Sequence, residues 1–216
     1  ALEEAREKLR RGMTVMIREG SGQNNLLDLL PLVDDRTYPR CCFASDDRDA
    51  GTLLHDGHMD AILRKAIGAG LDPIRAIRMA TLTPAEYWRL PGYGLVAPGY
   101  QANLVVFERL DDIRPRLVLF GGSVVAVDGR PQFDVTAPIP ESLLNTVHIG
   151  SLTPDDLRIP AAEEMVAVGA IPGQIVTRKL TVKPTVQDGA VVADAERDLL
   201  KLVVVERHHG TGRVGV

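Results

Sequence analysis

The segment that most constrains the fold is Cys41-Cys42-Phe43-Ala44-Ser45-Asp46-Asp47, in which a short apolar run ends at two adjacent carboxylates. Such a run is typical of a buried parallel strand that reaches solvent at its carboxyl end. In α/β barrels and open α/β sheets, that end is where functional groups lie. We therefore place Asp46 and Asp47 at the mouth of a candidate active site. The alternative, from this segment alone, is that Ser45 and Asp46 cap the following helix.

The surrounding pattern predicts an α-β-α-β-α order. A charged helix carrying Leu2, Ala5 and Leu9 precedes a strand over 13–17, and Asn24 or Asn25 can cap a leucine-rich helix before the Cys41 strand. An amphipathic helix follows over 59–67. This order predicts two parallel strands joined by a crossover helix.

Shorter elements are expected after Leu71. Asp72-Pro73 and Thr83-Pro84 each combine a cap residue with proline at the first helical position, and Gly121-Gly122 between two β-rich runs predicts a tight hairpin. Strands are also predicted over 174–183 and 199–206, separated by Asp188-Gly189. The predicted division is an α/β part over 1–91, a β module over 92–132, a proline-rich linker over 133–160 and the beginning of a further domain over 161–216.

Composition excludes some classes of protein. The formal net charge of −4 offers no electrostatic footprint for nucleic acid or an anionic membrane, and no apolar run approaches the ~20 residues of a membrane span. The two cysteines are adjacent and cannot link distant segments, which favours a reducing, cytoplasmic setting. Ala1 opens directly into a helical pattern and the chain stops in a glycine-rich run, so we expect a piece of a longer protein.

Acidic residues follow both predicted parallel strands. Arg18-Glu19-Gly20 comes after the first and Ser45-Asp46-Asp47 after the second, so Glu19 and Asp46 are expected at one face of the sheet. Carboxylates there can bind a metal, move a proton or orient a polar substrate. The alternative for Glu19 is a helix-start residue or an ion pair with Arg18.

The histidines do not form a metal motif, because neither His-x-His nor Cys-x-x-Cys occurs. His55 and His58 lie near a predicted helix start and are read mainly as solvated polar residues. His208 and His209 follow a β run, where neighbouring side chains point to opposite faces of a regular strand and cannot share one metal.

Several segments together resemble the bacterial adenine deaminase family of the amidohydrolase superfamily. The two strand-end motifs, Ile17-Arg18-Glu19-Gly20-Ser21 and Ser45-Asp46-Asp47-Arg48, resemble the family's seventh-strand and eighth-strand segments. The resemblance extends in order through further segments of the chain: Gly57-His58-Met59-Asp60, 65–81, 84–87, 94–99, 102–106 and 200–212.

The resemblance implies a metal-dependent (β/α)₈ hydrolase that converts adenine to hypoxanthine and ammonia. The chain would hold the last β/α units of that TIM-type barrel, part of the amidohydrolase β-sandwich and the start of a C-terminal α+β domain. By the same analogy Asp46 is a metal ligand and takes a proton from the attacking water, with manganese or iron as the expected metal and zinc as an alternative. Glu19 and Asp47 are further catalytic candidates by position, and His58 matches a family motif of unassigned role.

Other readings remain open from the sequence. They are another deaminase or cyclic-amide hydrolase of the superfamily, a non-catalytic α/β binding module, and a receiver-like α/β domain with an acidic pocket. The expected partner is a small purine base, with no nucleic acid or membrane partner, and homo-oligomerisation stays open. Since a catalytic metal needs about three protein ligands and Asp46 is the one that matches, we expect residues 1–216 alone to be inactive.

Overall fold

The computed structural model describes residues 2–134 and 138–216, so part of the predicted linker, residues 135–137, lies outside the described residues. The chain divides into two compact units. The first comprises the described residues up to Asp134 together with Pro172–Ile175, and the second comprises the rest.

The helices and strands are short. The α-helices are α1 Leu2–Arg10, α2 Leu26–Leu29, α3 Ala50–His55, α4 Met59–Gly68, α5 Pro73–Ala80 and α6 Leu82–Tyr87. The 3₁₀ turns are Leu30–Leu32, Tyr38–Arg40, Glu141–Leu143, Pro154–Leu157 and Ala195–Arg197. The strands are β1 Val15–Arg18, β2 Cys41–Ala44, β3 Leu104–Val106, β4 Leu117–Phe120, β5 Ser123–Val127, β6 Arg130–Pro131, β7 Ile159–Pro160, β8 Met165–Gly169, β9 Arg178–Val182, β10 Thr185–Gln187, β11 Ala190–Val192, β12 Val204–Val205 and β13 Val214–Gly215.

The parallel pair predicted from the sequence is confirmed. Val15 of β1 pairs with Cys41 of β2, and the register continues to Arg18 opposite Ala44. Cys41, Cys42 and Phe43 are all buried, as expected for a strand covered on both faces. The carboxyl ends of both strands therefore lie side by side, which brings the loops after them together.

The core of the first unit lies around this pair. Apolar side chains at helical spacing on α4, among them Ile62 and Ala66, and Met79 of α5 are fully buried with Ile17 of β1. The chain is thus mixed α/β, with helices covering a parallel pair whose strand ends stay accessible.

Three predicted helix starts are corrected. Asp49 caps α3 and its side chain accepts from Thr52 N, so the helix-cap alternative for Ser45 and Asp46 is wrong. Asn25 precedes α2 without a side-chain cap bond, and α2 is a single turn. The last helix begins at Leu82, so Thr83 lies inside it, whereas Asp72 caps α5 as predicted.

The β-rich part of the first unit is an antiparallel sheet in the order β3-β4-β5-β6. Gly121 and Gly122 both have positive φ, which is the geometry of a primed hairpin turn, and the predicted hairpin is confirmed. Asn103 Oδ1 accepts from Gly121 N at 2.8 Å and fixes this turn.

The second unit differs from expectation in its pairing. Asp188-Gly189 is the turn of a β10-β11 hairpin and not a separator between two long strands. The strand predicted over 174–183 is limited to β9, whose antiparallel partner β8 was not predicted, and the strand over 199–206 shrinks to β12. Single-face alternation in these short strands is too weak a signal to fix their bounds.

Candidate active site

The loops after β1 and β2 join directly. Glu19 N donates to Ala44 O at 2.9 Å, continuing the parallel ladder one residue past the strands. The Arg48 guanidinium then donates from Nε to Glu19 O at 3.1 Å and also bonds Gly57 O. The two acidic loops predicted to share one face are therefore neighbours, and arginine side chains connect them.

Asp46 is the accessible carboxylate of this pair of loops. Its backbone is in the left-handed region, with φ of 49°, and its side chain is 38% exposed. Arg18 Nη1 lies 3.3 Å from Asp46 Oδ2. The same guanidinium donates from Nε to Asn25 Oδ1 at 3.0 Å, so two partners orient Arg18.

Glu19 is buried, with 4% of the residue exposed. One carboxylate oxygen pairs with the Lys65 ammonium, and the other accepts from Leu26 N, 3.3 Å away, at the start of α2. The helix-start contact suggested for Glu19 is thus present, but the suggested ion pair with Arg18 is wrong, because Glu19 pairs with Lys65. Arg18, the partner expected from the sequence, pairs with Asp46 instead.

Asp47 lies against the glycines of the first loop. A methyl group on Gly20 would overlap the Asp47 carboxylate and sit 3.1 Å from its Cγ, and one on Gly22 would sit 3.0 Å from Oδ2. A Cβ at either glycine would force the Asp47 side chain to move. Glycine at positions 20 and 22 therefore leaves room for the Asp47 carboxylate.

A third carboxylate, Asp49, fastens the same loops. Ser21 Oγ accepts from Asp49 N at 3.1 Å and donates toward Thr52 Oγ1 at 2.9 Å. Hydrogen bonds from Ser21 and from the backbone and hydroxyl of Thr52 hold the pKa of Asp49 well below its usual range. Asp49 is therefore charged at neutral pH and acts as a cap.

Sequence reasoning missed the cationic side of this site. Arg18 and Arg48 lie inside the two quoted motifs, so their place beside the carboxylates was a detectable signal. Lys65 lies on α4, 46 residues along the chain from Glu19, and no local pattern connects the two.

The described residues do not by themselves make a metal centre. Within residues 2–134 and 138–216, no group of three or more His, Cys, Asp and Glu side chains is placed to hold an ion. His55 and His58 are exposed, and His208 and His209 lie in a loop of the second unit whose backbone amides donate to the Glu206 carboxylate. Asp46 can supply one carboxylate to a metal and no complete ligand set.

The cysteines do not add a ligand or a nucleophile. Burial raises the pKa of Cys41 to about 12 and also raises the pKa of Cys42. Both are therefore neutral thiols inside the core at physiological pH.

A cavity among the described residues lies away from the strand-end site. It has a volume of about 570 Å³ and is lined by residues that precede β1 and β2, including Leu9, Leu32 and Arg40. These residues lie toward the amino ends of the strands, so the cavity is not part of the strand-end site.

No helix in the described part of the chain is long and apolar enough to cross a membrane.

Comparison with known proteins gives two family matches. Residues 3–134 match the model of the amidohydrolase family, and residues 174–216 match the adenine deaminase C-terminal domain. A protein named adenine deaminase from Dehalococcoides mccartyi is 49% identical over 99% of this chain, and adenine deaminase 2 from Carboxydothermus hydrogenoformans is 43% identical over 99%. The chain spans 38% of the length of each of these relatives.

A solved structure has a similar fold. The β-aspartyl dipeptidase of Fervidobacterium islandicum AW-1, crystallised with a β-Asp-Leu dipeptide, aligns with a TM-score of 0.50 at 17% identity. The alignment covers 63% of this chain and 39% of that protein. With the family model matching more than half of the chain in the part that carries β1 and β2, the chain belongs to the amidohydrolase family.

Proposed function

We propose that the protein to which this chain belongs hydrolyses adenine to hypoxanthine and ammonia. The observation that carries the proposal is the similarity to adenine deaminases over 99% of the chain, together with the two family matches. On this proposal β1 and β2 with their helices are the last β/α units of a (β/α)₈ barrel, within 1–91. Residues 92–132 belong to the β-sandwich, 133–160 to a linker and 161–216 to the beginning of the C-terminal domain.

Asp46 is the residue we assign to the chemistry. It is exposed at the carboxyl end of β2, where barrel enzymes place reacting groups. A carboxylate there can hold one coordination position of a divalent metal and accept a proton from the attacking water. A bound metal of this kind lowers the pKa of its water to about 7.

The remaining metal ligands would come from parts of the protein outside this chain, and manganese, iron and zinc are the metals to test. Glu19 supports the site by fixing the first loop to α2 and α4, and Asp47 supports it by packing the second loop on Gly20. The neighbouring Arg18 orients Asp46 through a charge-assisted hydrogen bond. A small purine base is the proposed substrate and the cytoplasm the proposed location.

Substrate comparison with the full-length protein tests the proposal. Ammonia release is measured with adenine, adenosine, guanine and cytosine after reconstitution with Mn, Fe or Zn in turn. We expect adenine to have the highest kcat/KM. A preference for any of the other three would overturn the substrate assignment, and no ammonia from any of them with any metal would overturn the activity.

A further inference from the structure

We propose that Gln174 positions Asp46 for the reaction through a line of hydrogen bonds that runs through Asn25 and Arg18. The inference rests on the proposed role of Asp46 and adds a residue far from it in sequence. Gln174 is 128 positions beyond Asp46 in the chain and is the first residue of the part that matches the C-terminal domain.

The line consists of three side-chain hydrogen bonds in the first unit. Arg18 Nη1 donates to Asp46 Oδ2 at 3.3 Å and Arg18 Nε donates to Asn25 Oδ1 at 3.0 Å. Asn25 Nδ2 then donates to Gln174 Oε1 at 3.1 Å. Each group in the line therefore touches the next one directly.

Donor and acceptor types fix the orientation of every member. Arginine has donors only, so Asn25 must turn its oxygen toward Arg18 and its amide nitrogen toward Gln174. Gln174 must then present its oxygen to Asn25. The Gln174 amide nitrogen consequently points toward Asp28 Oδ2, 3.4 Å away. The carboxylates of Asp46 and Asp28, at the two ends of the line, are both acceptors, as this arrangement requires. Their charges strengthen the hydrogen bonds between them.

The Asn25 side chain bonds to Arg18 on one side and to Gln174 on the other. Asn25 stands at the N-cap position of α2, where its backbone oxygen accepts from Leu29 N at 3.0 Å, but its side chain makes no cap bond. Asn25 is also buried, at 8% exposed, so its amide needs the partners that Arg18 and Gln174 provide. A buried asparagine released from capping points to a positioning function.

Backbone contacts bring Gln174 to this place. Asn24 N donates to Gly173 O at 3.2 Å, one residue before the Asn25–Gln174 contact. Gly173 has φ of 71°, and a Cβ there would lie 2.5 Å from Asn24 Oδ1. Only glycine fits this approach. The segment Pro172–Ile175 is therefore held at two consecutive residues, by the backbone oxygen of Gly173 and by the side chain of Gln174.

The orientation matters because an isolated exposed ion pair is weak and mobile. Without the bond to Asn25, the Arg18 guanidinium and the Asp46 carboxylate could rotate together. With Nε bonded to Asn25, the Arg18 Nη1 donor points in one direction and fixes the orientation of the Asp46 carboxylate. Loss of a partner that orients a ligating group typically lowers activity about 10–100-fold. Gln174 acts through two intermediaries, so we expect the low end of that range.

The test compares Gln174→Met with Gln187→Met in the full-length enzyme. Methionine keeps the length of the side chain and removes its hydrogen bonds, and Gln187 is an exposed glutamine of β10 that serves as the matched control. We expect Gln174→Met to lower kcat about tenfold with KM for adenine changed less than twofold. Gln187→Met should match wild type in both.

A double-variant cycle separates positioning from a general structural effect. Arg18→Lys keeps the charge beside Asp46 and removes the Nε donor, so it interrupts the line at its centre. In the Arg18→Lys background, Gln174→Met should change kcat less than twofold, since no connection remains to be broken. A tenfold loss in both backgrounds, or no loss in either, would overturn the inference.

The outcomes keep the two proposals apart. If wild type releases no ammonia from adenine, the proposed function fails, and the crystal structure of full-length Gln174→Met still tests the line. We then expect the Arg18–Asp46 hydrogen bond to be lost in that variant and kept in Gln187→Met. An unchanged Arg18–Asp46 contact in Gln174→Met would overturn the positioning role regardless of activity.

Discussion

The loops after β1 and β2 place carboxylates just past the ends of neighbouring parallel strands, Glu19 one residue beyond β1 and Asp46 two residues beyond β2, yet the two acids have opposite surroundings. Glu19 is 4% exposed and has partners at both oxygens, the Lys65 ammonium and Leu26 N. Asp46 is exposed, and the structure pairs it with one cation, Arg18. A shared position at the edge of a sheet therefore does not define a shared role.

What separates the two acids is the freedom of their oxygens. A carboxylate whose oxygens are both engaged inside the protein contributes to stability, because water and substrate cannot reach it. A carboxylate with accessible oxygens can bind or react. The comparison predicts that substitution of Asp46 acts on turnover and substitution of Glu19 acts on folding.

The largest expected effect is on turnover in Asp46→Asn. Asparagine keeps the size of the side chain and tolerates the left-handed backbone, so the full-length variant should fold with an unchanged melting temperature. It should lose at least about 10³-fold in kcat and a large part of its bound metal. Ammonia release and metal analysis check this.

Asp47→Asn is the matched neighbour for that measurement. It should retain more activity than Asp46→Asn, because its carboxylate packs against the Gly20 loop. Near-normal turnover in Asp46→Asn beside an inactive Asp47→Asn would reverse the assignment.

The next effect is on stability in Glu19→Gln. The change removes the charge of the buried Glu19 side chain that pairs with Lys65, and we expect a loss of about 1–3 kcal/mol in the free energy of unfolding. Lys65 is 40% exposed, so solvent keeps the loss below that of a fully buried pair. Chemical denaturation of the full-length protein measures it.

Glu3→Gln is the control, since the Glu3–Arg6 pair lies on the exposed face of α1 and should contribute little. Equal denaturation midpoints for the two variants would remove the distinction between an interior and an accessible carboxylate.

A smaller loss is expected for Gly20→Ala. The added methyl would overlap the Asp47 carboxylate, and because Asp47 is exposed and can rotate away, we expect about 1 kcal/mol of destabilisation. Gly68→Ala at the end of α4 meets nothing within 4 Å and should be neutral or slightly stabilising. Thermal melting of both variants gives the comparison.

The double variant Gly20→Ala/Asp47→Ala identifies the cause. Removing the carboxylate should restore most of the lost stability if the overlap is responsible. A double variant as unstable as Gly20→Ala would place the strain elsewhere in the loop.

The smallest expected effect is a local loss of stability at the start of α3 at low pH. The pKa of Asp49 is lowered by Ser21 and Thr52, so its contribution to stability is complete above the ordinary pKa of 3.8 and is lost as the pH falls below that value. Amide exchange at Thr52, whose N–H donates to Asp49, should accelerate in that window. In Asp49→Asn the acceleration should vanish, and an identical pH profile in the variant would show that another group is responsible.

The parts of the fold that are determined by residues close together in the sequence could be predicted. The parallel pair, the stripe on α4, the Asp72 cap and the Gly121-Gly122 hairpin all depend on residues close in sequence. The positions of Asp46 and Glu19 at one edge also followed from strand order alone.

What could not be predicted depends on contacts between distant residues. Lys65 reaches Glu19 from α4, and Gln174 reaches Asn25 from 149 residues away. The contact of Glu19 with Leu26 N at the start of α2 also escaped prediction, and the Asn25 side chain makes no cap bond there. The short strands of the second unit have no sustained alternation, so their pairing is set by tertiary context.

The left-handed backbone of Asp46 restricts how this position can change over evolution. A φ of 49° is accepted most readily by glycine, asparagine and aspartate, and other residues here would add backbone strain of about 1–2 kcal/mol, most of all the β-branched ones. Among the three tolerated residues, aspartate alone carries a negative charge. In a random library at codon 46, glycine and asparagine would therefore give the most stable inactive variants, and glutamate would bring a carboxylate only at the cost of strain in the turn.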